Sequence, residues 1–216
     1  MTNNVKWDII VNLTRNRNVV EKLADGVDNV FLGGFTGANI RAQSGSTYGT
    51  IFGFGFLRDD SGNLVIGQDG FPIIDDNEKG FGSAQPNFQF GITNRVTYKG
   101  FTLSALVDVR RGGVMWNGTK GALYFFGTHK DTEVRGAKKV FSGVNGVFDT
   151  DGNLTYDDNG KPITSGTNTT EVTLDEDWLA FGNGNGFFGS NTEDFIEKTD
   201  WFRIRNVSLS YTLPKK

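Results

Sequence analysis

The sequence predicts an all-β fold, a partial antiparallel transmembrane β-barrel with long extracellular loops. Four segments of about ten residues alternate apolar and polar side chains, as membrane-spanning strands do. Two long polar connections lie between these segments. The composition of the 216 residues, with 30 Gly and 19 Phe but only 4 Pro and 2 Met, favours strands and turns over long helices.

The first predicted strand runs from Val5 to Thr14. Its odd-numbered residues are apolar and its even-numbered residues are mostly polar, so each set occupies one face. Only Ile10 breaks this pattern. The apolar set is Val5, Trp7, Ile9, Val11 and Leu13.

The second and third predicted strands, Phe88 to Tyr98 and Phe101 to Arg110, follow each other directly. Only Lys99 and Gly100 separate them, and a two-residue connection that contains glycine is typical of a tight β-hairpin. Both segments keep alternating and are long enough to cross a membrane as tilted strands. We therefore expect an antiparallel pair here.

The fourth predicted strand runs from Trp201 to Leu213. From Asn206 onwards its apolar residues are odd-numbered, whereas Phe202 and Ile204 are even-numbered. A shift of one residue within a strand is what a β-bulge produces. The sequence therefore predicts a bulge just before Asn206.

The two connections, residues 15–87 and 111–200, are far longer than the usual loop of about 4 to 6 residues. If the Lys99-Gly100 turn is periplasmic, both connections lie on the opposite, outer side, as in outer-membrane barrels. They contain one internal similarity. Residues 59–73 and 149–163 share Asp, Gly-Asn-Leu, Gly, Pro and Ile at matching positions, which predicts one short hairpin device used twice.

Composition excludes several classes of function. The net charge of −3, with both signs interspersed, gives no basic face of the kind that a nucleic-acid partner needs. The absence of cysteine excludes a disulfide scaffold and a thiolate metal site. No run approaches the roughly 18 apolar residues of a transmembrane helix. Clustered loop acids such as Asp157 and Asp158 could accept calcium, but no cluster has EF-hand spacing.

Three strings carry a resemblance to a known family. They occupy residues 7–20, 86–113 and 199–216. Their most specific parts are Tyr-Lys-Gly-Phe at 98–101, Phe-Arg-Ile-Arg-Asn-Val at 202–207 and Tyr-Thr-Leu-Pro at 211–214. These strings resemble the C-terminal barrel of the SusC/RagA proteins, which are TonB-linked outer-membrane transporters.

The resemblance implies a TonB-dependent transporter in the outer membrane of a Gram-negative bacterium. It implies import of glycan or peptide fragments, a SusD-like surface lipoprotein as partner, and contact with TonB and outer-membrane lipid. It also implies a barrel of roughly 22 strands, whereas four strands are too few to close one. Residues 1–216 are therefore expected to be an incomplete C-terminal segment of the barrel, without the plug domain and the final strands.

The sequence predicts no enzyme and no catalytic, cofactor-binding or metal-binding residue. The one histidine, His129, cannot build a two-histidine metal site. Gly184, Gly186 and Gly189 match G-x-G-x-x-G but lack the flanking strand and helix of a dinucleotide site. The candidates for substrate contact are loop aromatic residues that could stack on sugars, with packing inside the loops as the alternative for each. They are Trp116, Tyr124, Trp178 and Phe187, and beside them Phe125, Phe126 and Phe188.

Two other functions fit parts of the pattern. A secreted β-sandwich that binds carbohydrate through the same loops is the alternative, because the inner face of a sandwich has the same period of two. A glycoside hydrolase is the third, because two loop carboxylates could meet at a catalytic separation, although no pair is marked. Strands of about ten residues exceed the soluble mode of about 5 to 6, which favours the barrel.

Overall fold

Strands dominate the chain, and four of them are much longer than the rest. The computed structural model describes residues 5–35, 37–182 and 191–214. Within these ranges the strands are β1 (Lys6–Thr14), β2 (Asn29–Gly34), β3 (Ala38–Gln43), β4 (Thr50–Gly53), β5 (Val65–Ile66), β6 (Lys79–Ser83), β7 (Phe88–Tyr98), β8 (Phe101–Arg111), β9 (Val114–Trp116), β10 (Lys138–Val140), β11 (Val144–Gly146), β12 (Thr164–Thr167), β13 (Glu171–Thr173), β14 (Ile196–Lys198) and β15 (Trp201–Tyr211). The helical elements are α1 (Gly118–Phe125), 3₁₀ turns at Lys130–Glu133 and Glu193–Phe195, and a π-helical segment at Asp177–Gly182.

The four long strands form one antiparallel sheet in the order β1, β7, β8, β15, which we call the wall sheet. Their bounds agree with the predicted segments to within two residues, since β1 begins at Lys6 and β15 ends at Tyr211. The β-rich, antiparallel character of the prediction is confirmed. Within the described residues the sheet is open, with β1 and β15 at its two edges.

A two-residue turn joins β7 to β8, as predicted. Lys99 has φ 45° and Gly100 has φ 85°, so both central residues are in the left-handed region. This is the signature of a type I′ turn, whose twist matches that of the flanking strands. Tyr98 therefore pairs directly with Phe101, and the register continues unbroken to Phe88 opposite Arg111.

The predicted bulge is confirmed in β15. Ile204 pairs with Val107 and Asn206 pairs with Leu106, so Arg205 is an extra residue without its own partner in β8. The bulge moves the alternation by one position. It thereby keeps Ile204 and Val207 on the same face of the sheet, although one has an even and the other an odd residue number.

Both long connections leave the wall sheet at the same end. Gln89 pairs with Thr14 on one side and with Arg110 on the other, and Arg110 pairs with Trp201. The start of each connection and its return therefore lie in one row. The Lys99-Gly100 turn is at the opposite end, so the predicted same-side arrangement is confirmed.

The two connections fold together around a shared core. The first supplies the sheet with order β2, β3, β4, β6, and its strand β5 pairs in parallel with β11 of the second. Ile66 of the first connection packs in a buried cluster with residues of the second. These partners are Phe141, Val172, Leu174 and Leu179. No local pattern indicates this core, because its members are far apart in sequence.

The device at residues 59–73 and 149–163 has the same structure twice. In each copy three extended stretches close a triangle of backbone hydrogen bonds. The bonding residues are Leu57, Val65 and Ile73 in one copy and Val147, Thr155 and Ile163 in the other. Asp59 accepts backbone hydrogen bonds from the residues two and four positions later, and Asp149 does the same. Hydrogen bonds from Asn63 and Asn153 lower the pKa of these two carboxyl groups. The predicted repetition is confirmed, but each copy is a triangle of three stretches and not the single hairpin that the sequence predicted.

Candidate lipid-facing surface and loop contacts

One face of the wall sheet is apolar from edge to edge, because the registers align the apolar sets of all four strands. The rows across it are Leu13, Phe90, Val109 and Phe202; Val11, Ile92, Val107 and Ile204; Ile9, Asn94, Ala105 and Val207; and Trp7, Val96, Leu103 and Leu209. Only Asn94 interrupts them. We call this surface the apolar face.

The apolar face is uncovered. Leu13 is 69% exposed, Leu209 is 70% exposed and Val207 is 64% exposed. Four strands about 4.8 Å apart and about 34 Å long give a patch of roughly 650 Å² in projection. Soluble monomers rarely expose an apolar patch of more than a few hundred square ångströms, so this surface needs a partner.

Aromatic residues border the apolar face at both ends of the strands. At the turn end the rings of Phe101 and Tyr211 are 4.5 Å apart, and at the loop end the rings of Phe88 and Phe90 are stacked at 6.1 Å. Phe88 and Tyr98 are the first and last residues of β7. Ten steps of about 3.4 Å give about 34 Å along the strand, or about 26 Å at a tilt of about 40°. This height agrees with the apolar band of about 25 Å between the aromatic girdles of outer-membrane barrels.

The opposite face of the wall sheet is polar and carries paired groups. Asp108 forms an ion pair with Arg205, whose Nε lies 3.0 Å from a carboxylate oxygen. The hydroxyl groups of Ser104 and Ser208 are 2.7 Å apart. The residues that the sequence predicts to face a lumen all share this face. They are Lys6, Asp8, Arg95, Asp108 and Arg110.

No family model and no curated protein matches this sequence. The resemblance to the SusC/RagA barrel therefore rests on the three strings described above. No helix in the described part of the chain has the length and hydropathy to span a bilayer. The same residues bring no three His, Cys, Asp or Glu side chains together as a set of metal ligands.

Trp178 packs inside the loops. Its ring is 5.0 Å from those of Phe71 and Phe141 and 6.3 Å from that of Phe56. The indole thus closes the shared core from one side. These contacts favour the packing role that the sequence leaves open for this residue.

Tyr124 is buried in α1 and belongs to a polar cluster. Its ring stacks on His129 at 4.4 Å, and its hydroxyl group donates a short hydrogen bond to Asp131. Burial, together with this hydrogen bond, raises the pKa of Tyr124 well above its ordinary value. The hydrogen bond from Tyr124 lowers the pKa of Asp131. The ring is therefore occupied by protein contacts on more than one side.

The other aromatic candidates differ in what they offer. Trp116 is half-buried in β9, where it pairs with Ile196 and its ring lies 5.4 Å from that of Phe35. Phe126 is 68% exposed and is available to a partner. Five of the residues singled out from the sequence lie outside the described residues. They are Phe187, Phe188, Gly184, Gly186 and Gly189.

A short segment of the second connection docks on the first, a contact that was not predicted from the sequence. Glu193 accepts hydrogen bonds from Lys79 at 2.9 Å, from Arg58 at 2.6 Å and from the backbone N–H of Phe56 at 3.1 Å. The neighbouring Thr192 is buried and accepts from the backbone of Phe54 at 3.2 Å. Burial raises the pKa of Glu193, but the hydrogen bonds from Lys79 and Arg58 outweigh it and hold this pKa below its ordinary value.

Two glycines make this docking possible. A Cβ atom on Gly53 would overlap with Thr192 and with the backbone oxygen of Gly37, and one on Gly55 would overlap with Glu193. The close approach therefore requires Gly at position 53, where a backbone atom is in the way, whereas at Gly55 only the flexible ends of Glu193 and Lys79 would have to shift. The Gly-Phe-Gly-Phe run at 53–56 was the signal that could have revealed it, because glycine within a strand pattern often marks a close backbone approach.

Proposed function

We propose that the chain forms part of the wall and the outer loops of a β-barrel in the outer membrane of a Gram-negative bacterium. The observation that carries the proposal is the uncovered apolar face with its two aromatic borders. A bilayer covers such a face completely, whereas water leaves it exposed at a cost of about 25 cal/mol per Å². The opposite face, with its ion pairs and hydroxyl groups, suits a polar barrel interior.

The loop arrangement supports the same orientation. Outer-membrane barrels have short periplasmic turns and long extracellular loops. The Lys99-Gly100 turn is the short connection, and the two long ones share the other end of the sheet. Four strands are too few to enclose a lumen, so further strands complete the wall.

The transport activity that we propose comes from the SusC/RagA resemblance. The barrel belongs to a TonB-dependent transporter that imports glycan or peptide fragments together with a SusD-like lipoprotein. The folded loops, which include the exposed ring of Phe126, lie on the side where such a partner would approach. No catalytic role is assigned to this chain.

The alternative of a secreted carbohydrate-binding β-sandwich is less well supported. A sandwich buries one face of each sheet against a second sheet about 10 Å away. Here Val11 at 60% exposure and Leu209 at 70% exposure lie on the face that a sandwich would cover. Strands of 11 residues are also long for a soluble sandwich.

Membrane fractionation tests the proposal. The full-length protein that contains this chain is expressed in a Gram-negative host, the outer membrane is isolated and washed at alkaline pH, and migration is compared with and without heating in detergent. Retention after the wash and a heat-dependent change in migration are expected. Recovery as a soluble, detergent-independent monomer would refute the membrane assignment.

Uptake of labelled oligosaccharides and peptides, measured with and without collapse of the proton gradient, tests the transport step. Uptake that is unchanged when the gradient is collapsed would argue against TonB coupling.

A further inference from the structure

Three arginines border the apolar face at its loop end. Arg15 and Arg17 follow β1 and are exposed, and no ion pair among the described residues involves either of them. Arg111 ends β8, and its side chain is 61% exposed. We call these three residues the arginine rim.

The arginine rim opens onto apolar side chains. A depression of about 570 Å³ is lined by Arg15 and Arg17 together with Leu13, Asn87 and Phe88. A second depression of about 570 Å³ is lined by Arg111 and Asp200 together with Phe88, Phe90, Val109, Trp201 and Phe202. Phe88 lies between the two. Each depression therefore combines guanidinium groups with the upper end of the apolar face.

The charge balance of the rim is positive. Asp200 is the one acidic residue that lines either depression. Its carboxylate accepts from the backbone N–H of Gly112 at 2.6 Å and from Arg111 at 3.2 Å. The hydrogen bond from Gly112, followed by that from Arg111, lowers the pKa of Asp200, so it is a carboxylate at neutral pH. Three guanidinium groups against one carboxylate leave two positive charges.

Guanidinium groups are suited to phosphate because their planar donors match two phosphate oxygens at once. Free phosphate in water would gain nothing from the apolar wall below the rim. A phosphate that is attached to acyl chains gains from both parts of the surface, because its chains lie against the apolar face while its head group meets the arginines. The chemistry therefore points to a lipid as the source of the phosphate.

We propose that the arginine rim binds the phosphate group of an acylated, anionic lipid. This inference rests on the proposed function, since it places the apolar face in a bilayer. In the proposed orientation the rim is at the outer surface, so the lipid is a phosphorylated lipid of the outer leaflet. The rim then selects the lipid that binds beside it. It also fixes the height of the wall in the membrane.

The test uses the full-length barrel that contains this chain, in micelles of a neutral detergent. It is titrated with phosphatidic acid or with phosphatidylcholine, both carrying the same fluorescent acyl chain. We expect phosphatidic acid to bind about 25-fold more tightly, since the rim has two net positive charges and each basic residue near an anionic lipid surface gives about a fivefold gain. The R15Q/R17Q/R111Q variant should lose this preference and keep its affinity for phosphatidylcholine. The matched R95Q/R135Q/R205Q variant removes the same charge away from the rim and should keep the preference.

The outcomes separate this inference from the proposed function. Equal affinity of the wild type for the two lipids, or an equal loss in both arginine variants, would overturn the rim proposal alone. Displacement of phosphatidic acid by inorganic phosphate would show a site for free phosphate and would also overturn it. If neither lipid binds and the full-length barrel does not float with vesicles of phosphatidylcholine, the lipid-facing assignment itself fails.

Discussion

Lys79 and Glu193 form an ion pair of 2.9 Å that joins the two long connections of the chain. Lys79 begins β6 in the first connection, and Glu193 lies just before β14 in the second. Arg58 approaches the other carboxylate oxygen at 2.6 Å. One carboxylate therefore holds two loops together by charge-assisted hydrogen bonds, which are the stronger class of such bonds.

Replacing this carboxylate should loosen the loops. Glu193→Gln leaves Lys79 and Arg58 without their anion, and we expect a loss of about 2 kcal/mol in the free energy of unfolding. Urea titration followed by tryptophan fluorescence measures it, with Glu176→Gln as an exposed control that has no ion pair among the described residues.

The contribution of the pair also depends on pH. Because the pKa of Glu193 is lowered from 4.5, its stabilisation is present above that value and disappears as the pH falls through the folded pKa. The wild type and the variant should therefore differ at neutral pH and converge in acid, and a difference that grows in acid would contradict this account.

A methyl group at Gly53 should weaken the same docking contact, because Gly53 lies on the first connection, opposite segment 191–195. Gly53→Ala places a Cβ against the backbone oxygen of Gly37 and the side chain of Thr192, neither of which can easily move. We expect a loss of about 1 to 3 kcal/mol, as for other overpacked positions. Gly33→Ala is the matched control, since an added Cβ there meets nothing within 4 Å. Equal stability of the two variants in urea would show that segment 191–195 does not dock as described.

The bulge at Arg205 gives a test by deletion. Removing Arg205 restores a regular alternation in β15, so we expect this variant to remain in the membrane fraction after an alkaline wash. Removing Ser208 instead turns Leu209 and Tyr211 towards the polar face, because a slip of one residue reverses every later side chain. That variant should be extracted. The same behaviour in both deletions would argue against the bulge.

The two faces of the wall sheet can be compared at neighbouring residues. Val107 lies near the middle of the apolar face, and Leu106 lies beside it on the polar face. Val107→Arg should destabilise the protein in lipid by about 2 to 4 kcal/mol, which is the cost of a cation at the bilayer midplane of a barrel. Leu106→Arg should cost much less. Urea unfolding of both variants in lipid vesicles measures the difference. A larger loss of stability in Leu106→Arg than in Val107→Arg would mean that lipid contacts the polar face and not the apolar face.

A substitution of Trp178 distinguishes a packing role of its ring from a role in substrate contact. If its ring closes the shared core, Trp178→Ala should lower the free energy of unfolding by about 3 kcal/mol. Phe126→Ala, at an exposed ring, should change it by less than about 0.5 kcal/mol. Chemical denaturation followed by circular dichroism gives both values. Unchanged stability in Trp178→Ala would return this residue to the substrate-contact candidates.

The parts of the fold that follow from near neighbours were predictable, and those that depend on distant partners were not. The period of two located the long strands to within two residues, and the broken parity before Asn206 located the bulge. The shared core was invisible because Ile66 and Phe141 meet only through the tertiary fold. The same holds for the site. The apolar face was predicted from alternation. The Gly-Phe-Gly-Phe run at 53–56 marks a close approach of the backbone but does not identify Glu193 as the partner, and the packing of Trp178 could be stated only as an alternative.

The hairpin between β7 and β8 also has a consequence for the order in which the chain folds. Once it closes, the backbone N–H of Asn87 donates to the carbonyl oxygen of Arg111 at 2.8 Å, so the return of the first connection meets the start of the second. Before that, bringing Ile66 to Phe141 closes about 75 residues of chain; afterwards the effective separation is about 50 residues, and the entropic cost of closure is smaller by about 0.3 kcal/mol. A turn of two residues at one end of the sheet thus makes the core at the other end slightly easier to close.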